Sequence, residues 1–124
     1  MRMGSVAVAI VALIHVYFAY KEFSGRNESA FYEGFNVKLH PDQDRGEVGK
    51  IVANAAAFNA LLAAGLIASL LVSGGGLELK VYLLVSIVLA GIVGGKTLTP
   101  LVYALQSAPA AVALGLVLWE SRSR

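Results

Sequence analysis

The sequence has no cysteine, few charges and only 3 prolines. Without cysteine there is no disulfide framework, no thiolate metal site and no cysteine nucleophile, and composition carries no signal about redox compartment. Charged residues make up 15% of the 124 positions against 57% hydrophobic. That is too little polar cover for a soluble domain of this length, so the bilayer is the expected solvent. The formal charge of +2 is spread along the chain, without the Lys/Arg cluster that neutralises phosphates, and no nucleic-acid binding is expected. Asp42, Asp44 and Glu47 lack the ordered oxygen-ligand spacing and central glycine of a calcium loop, and no metal site is expected. A haem is not expected either, because His15 is the one histidine inside an apolar run and no Cys or well-placed Met offers a second axial ligand. The GGKT at 94–97 lacks the earlier glycine of a phosphate loop, since position 90 is Ala90. No cofactor is assigned.

What the chain does have is long apolar runs. Residues 50–73, KIVANAAAFNALLAAGLIASLLVS, carry no charge after Lys50, and at about 1.5 Å per residue they are long enough for the ~30 Å hydrocarbon core. The first run, residues 3–22, has the basic start of a signal peptide, but no small-x-small cleavage site follows it and His15 interrupts it. It reads as a retained helix with an aromatic belt at Tyr17, Phe18 and Tyr20. SGGG at 73–76 stops the second helix, residues 79–95 return across, and residues 98–119 form the last span, closed by Trp119. Pro109 is expected to bend that span and free a carbonyl near residue 105.

The fold class is therefore all-α: a single polytopic membrane domain over residues 1–124, with four transmembrane helices in a bundle and a long polar and aromatic loop at 23–49. Part of that loop suits the membrane surface, and Asp44 or Glu47 suits the start of the second span. An even number of spans puts both termini on one side. Lys21, Arg26, Lys38, Arg45 and Lys50 outweigh Arg2, Lys80, Arg122 and Arg124, which places the long loop inside. The expected location is the inner or plasma membrane.

Polar groups inside the spans are the candidate site. His15 and Glu22, seven residues apart, lie within about 20° of one helix face but roughly 10 Å apart along it, so they can bracket a ligand or water chain without touching. Asn54 and Asn59 point roughly 140° apart and are expected to serve different neighbours, one of them the first helix. Ala53, Ala56, Ala57, Ala60, Ala64 and Gly65 make that helix smooth and argue that it is central. Gln106 sits beside the carbonyl that Pro109 frees. Gly91 and Gly95 form a GxxxG pair that fits either tight packing or a helix end.

These residues carry a resemblance. His15, Tyr17 and Glu22 with Phe23, then Asn54, Phe58 and Asn59, then Gly91, Ile92 and Gly94, then Gln106 and Pro109 resemble the motifs of the DUF1304 family of small four-helix integral membrane proteins. The likeness covers nearly the whole chain, with Ala55 and Ala56 where Gln-Gly is usual, Phe58 for Tyr and Ser107 for Gly. It implies a fold and a residue set, including Tyr17 as a member of the site, rather than a reaction.

Three functions fit the set. One is a protein that binds, or acts on, a lipid-soluble small molecule through His15, Tyr17, Glu22, Asn54, Asn59 and Gln106. Another is an accessory subunit of a larger membrane complex, whose polar groups lock helices. The third is a small proton-coupled transporter working as a homodimer, because four helices enclose little volume. Whether it is an enzyme is left open.

Overall fold

A computed structural model describes residues 2–123. Helix α1 spans Met3–Gly25, α2 Ser29–Gly34, α3 Arg45–Leu71 and α4 Leu77–Thr97; a π-helical segment, Tyr103–Ser107, then leads into α5, Ala108–Arg122. No strand occurs among the described residues. Helices α1, α3 and α4 are each long and apolar enough to cross a membrane.

Local chemistry sets the boundaries. Asp44 caps α3, its Oδ1 accepting from the Gly46 N–H at 2.8 Å and the Glu47 N–H at 3.2 Å, which satisfies two of the donors a helix start leaves orphaned. α3 thus begins at Arg45, before the Lys50 start expected from hydropathy. The polar segment is likewise shorter than 23–49 and partly helical: α1 runs to Gly25, and α2 is held by the Tyr32 hydroxyl donating to the Arg26 carbonyl at 2.6 Å. At the other end Gly74, Gly75 and Gly76 have φ of 86°, 92° and 57°, a left-handed run that side chains resist and that reverses the chain in a few residues.

The final helical stretch shows how the chain accommodates Pro109. Pro109 has no N–H to offer and its ring collides with the carbonyl four residues back. The chain answers by widening rather than breaking: the Ala108 N–H reaches the Tyr103 carbonyl five residues back, and the turn becomes π-helical. Residues 101–122 stay helical throughout, but as two kinds of helix joined at the proline.

The long helices pack as a bundle in which α1 touches α3 and α5, α4 touches α3 and α5, and α1 also reaches the π segment. The shared core is small and aliphatic, with Val8, Val11, Leu66, Leu84, Ile87 and Ala110 fully or almost fully buried. α3 is not central, contrary to the reading of its alanines. It buries Ala56, Ala63 and Leu66 but exposes Ala57, Ala60 and Ala64. Outward residues elsewhere are large and apolar, including Leu13, Leu89 and Val112, with Tyr82 and Trp119 toward one end and Tyr20 and Phe23 toward the other. That pattern suits a surface turned to lipid between two aromatic belts.

The glycine pair of α4 proves to be a packing device. A Cβ at Gly91 would lie 2.1 Å from the Ser107 hydroxyl oxygen and 2.9 Å from its backbone nitrogen, and one at Gly95 would lie 2.4 Å from the Tyr103 ring. The missing side chains let α4 seat the widened π turn. Gly115 has nothing within 4 Å of its would-be Cβ. Gly91→Ala is therefore expected to lose about 1–3 kcal/mol through overpacking, while Gly115→Ala leaves stability unchanged or raises it by up to about 1 kcal/mol. Thermal unfolding of both in detergent checks the contrast.

Candidate functional site

α1 and α3 run antiparallel, and their facing sides carry the one direct contact among the expected site residues. The Asn59 amide donates to Glu22 Oε1 at 2.5 Å, both side chains being half-buried. A carboxylate held inside a span needs such a donor, because hydrocarbon supplies none. Asn59 is thus the carboxamide that serves the first helix.

His15 lies deeper and is completely buried. Its Nδ1 is 2.9 Å from the Val11 carbonyl oxygen one turn back, and its ring meets Phe18 edge-on at 5.5 Å between centroids. A carbonyl only accepts, so the proton belongs on Nδ1 and the neutral ring leaves Nε2 as a lone-pair acceptor. Nε2 has no partner among the described residues. Buried polar atoms are nearly always paired, which makes this one the exception that calls for a reason.

The other expected residues scatter. Tyr17 is 53% exposed, on the outside of α1. Asn54 is exposed on the outer side of α3 and makes no hydrogen bond among the described residues. Gln106 is half-buried, and its amide reaches back to the Ile87 carbonyl on α4 at 3.4 Å, while Ser107 beside it donates to the Val88 carbonyl at 3.0 Å. These two tie the π turn to α4.

Three further polar features were not picked out from sequence. At the end where both termini lie, Glu120 Oε1 accepts from the Gly4 N–H at 3.0 Å, joining α5 to the orphaned donors at the start of α1. Lys80, counted as a loop charge by hydropathy, is buried in the first turn of α4 and donates to the Gly75 carbonyl. At the opposite end, outside the spans, an open cleft of about 600 Å³ is lined by Tyr32, Glu33, Asn36, Lys38 and Arg45 among others. Burial pushes the Tyr32 phenol above its ordinary pKa, with the Arg45 charge opposing, so its hydroxyl stays protonated and donating. The only sequence signal for these was the late Glu120 and the early Lys80 within otherwise apolar helices.

Residues 9–118 match the family model described as a protein of unknown function, DUF1304. The chain belongs to the DUF1304 family. The match takes in every candidate residue from His15 to Gln106, so the dispersed polar set is part of a DUF1304 chain's matched region and not of an appended tail. Ser107, where the family resemblance has glycine, fills its place by the bond to Val88. Comparison with curated proteins and with solved structures gave no match. No group of three or more His, Cys, Asp or Glu side chains is placed to hold a metal ion among the described residues.

Within this DUF1304 chain the Glu22–Asn59 contact predicts an asymmetric response. Asn59→Leu strands a half-buried carboxyl and is expected to destabilise by about 1–3 kcal/mol, whereas Glu22→Gln keeps an acceptor for Asn59 and costs less than about 1 kcal/mol. Denaturation in mixed micelles, followed by circular dichroism, distinguishes the two.

Proposed function

We propose that this DUF1304 protein crosses the membrane four times and holds, between α1 and α3, a site for a lipid-soluble small molecule bearing a hydrogen-bond donor. The observation that carries the site is His15 Nε2, a buried acceptor with its tautomer set by Val11 and with no donor among the described residues. A ligand hydroxyl or amide is the chemistry that completes it. The ring is sealed as it stands, so access requires the helices around α1 to part, and the Glu22–Asn59 contact is a polar latch between α1 and α3. Tyr17 and Asn54 face outward and have no part in this interior site, while Gln106 supports it only by holding the π turn near α1.

The fourth crossing rests on residues 101–119, helical throughout and uncharged, which reach about 28 Å at 1.5 Å per residue. The Gly4–Glu120 bond fits an even number of crossings, since it requires both termini at one end. Lys96, in the last turn of α4, joins Lys21, Arg26, Lys38, Arg45 and Lys50 at the loop end, and this excess of basic residues orients that end to the cytoplasm.

A second reading has its own support: interior polar contacts such as Glu22–Asn59 and Ser107–Val88 join helix to helix, which is all an accessory subunit of a membrane complex needs. Native mass spectrometry of protein gently extracted from its own membranes separates the two. A stoichiometric small molecule that is lost in a folded His15→Leu variant supports the site. A stable larger protein assembly with no such molecule overturns it in favour of the accessory role. Orientation is tested in intact cells with a membrane-impermeant thiol reagent: Ser73→Cys is expected to label and Glu33→Cys to stay protected, and the reverse pattern inverts the topology.

A further inference from the structure

α3 leaves one face unpartnered, and the residues on it follow a register. Asn54, Ala57, Leu61, Ala64, Ala68 and Leu71 are all exposed, Leu61 by 67% and Leu71 by 79%. Their spacing alternates three, four, three, four, three, the 3.5-residue repeat that keeps one seam of a helix turned toward a partner helix. The opposite side of α3 is the one that meets α1 and α4, through Ala56, Ala63 and Leu66. The seam sets Leu61 and Leu71 among Ala57, Ala64 and Ala68, so a facing helix can approach closely at the alanines and receive the leucines as knobs.

Asn54 decides what that partner is. It lies one turn inside Lys50, about 6 Å deeper along the helix axis, exposed, and without a hydrogen bond among the described residues. Lipid cannot satisfy it. A carboxamide both donates and accepts, so two copies of Asn54 related by a two-fold axis satisfy each other. With every copy inserted in the orientation proposed above, two α3 helices meet parallel, with the axis along the membrane normal and Asn54 level with Asn54. In heptad terms Asn54 takes an a position with Leu61 and Ala68, and a single polar a residue is the device that sets register and stoichiometry in parallel pairs. Lys50 continues the seam toward the surface, where its ammonium is 2.9 Å from Glu47, so no bare charge is carried into the contact.

We propose that this face of α3 is the interface of a parallel homodimer in the membrane, registered by Asn54 pairing across the two-fold axis. The absence of native cysteine makes the test clean. Single cysteines at Ala57, Leu61 and Ala64, oxidised in native membranes, are expected to give disulfide-linked dimers of this chain, while cysteines at Leu13, Leu89 and Val112, equally exposed on α1, α4 and α5, are not. In liposomes, energy transfer between labelled copies is expected to show Asn54→Leu weakening association roughly 3- to 30-fold, with Asn54→Gln retaining most of it. All these positions face outward, so the variants keep the monomer fold, which circular dichroism verifies. Absence of cross-links along the seam, equal cross-linking at the control positions, or cross-links from the seam only to a different protein each overturn the proposal.

Discussion

Hydrocarbon offers no hydrogen-bond partner, so a polar group carried into a span must find one in protein, and most of this chain's arrangement answers that demand. Glu22 finds Asn59 across α1 and α3. Ser107 and Gln106 find carbonyls of α4. Glu120 finds the N–H of Gly4, which the start of α1 leaves without a partner inside the helix. With each contact a different pair of helices is fixed, and together they tie the bundle at both ends around a core of small aliphatic side chains. Among the described residues, His15 Nε2 on the inside and the Asn54 amide on the outside stand apart from the pattern. They are where function is sought, because neither has a partner among the described residues.

The second organising feature is the coupling of a backbone defect to a glycine surface. Pro109 cannot continue a regular α-helix, and the π turn that precedes it is wider than an α turn. A wider turn needs room, and α4 provides it by having no side chain at Gly91 and Gly95, where Ser107 and Tyr103 come to rest. The same turn carries Gln106 to its bond with Ile87. Proline, glycines and glutamine, which lie on two different helices, thus form one structural unit. It reaches α1 as well as α4, which places it beside the helix that carries His15.

Much of this was legible before any coordinates. Hydropathy and length located α1, α3 and α4, the SGGG at 73–76 marked the turn, and Asp44 was readable as a cap because a carboxylate before a helix meets unsatisfied N–H groups. The misreadings share a cause. Alanine on a helix says that something can come close, not which side it comes from, and so the alanines of α3 argued for a central helix when several of them face outward. Asn54 and Asn59 look alike in sequence, yet one is latched to Glu22 and the other faces away from the bundle. Their angular separation was evident from spacing alone, but not which of the two turned inward.

The sequence by itself determined that this is a helical multi-pass membrane protein of the DUF1304 type and which polar residues its helices carry, because span length, turn residues and caps are local properties set by neighbours in the chain. Only the tertiary structure decided which of those polar residues meet. It joined Gly4 to Glu120 across the length of the chain, sealed His15 inside with one nitrogen unanswered, and turned Tyr17 and Asn54 outward. Those outcomes depend on the rotation of each helix about its own axis, and that rotation is set by packing against helices distant in sequence.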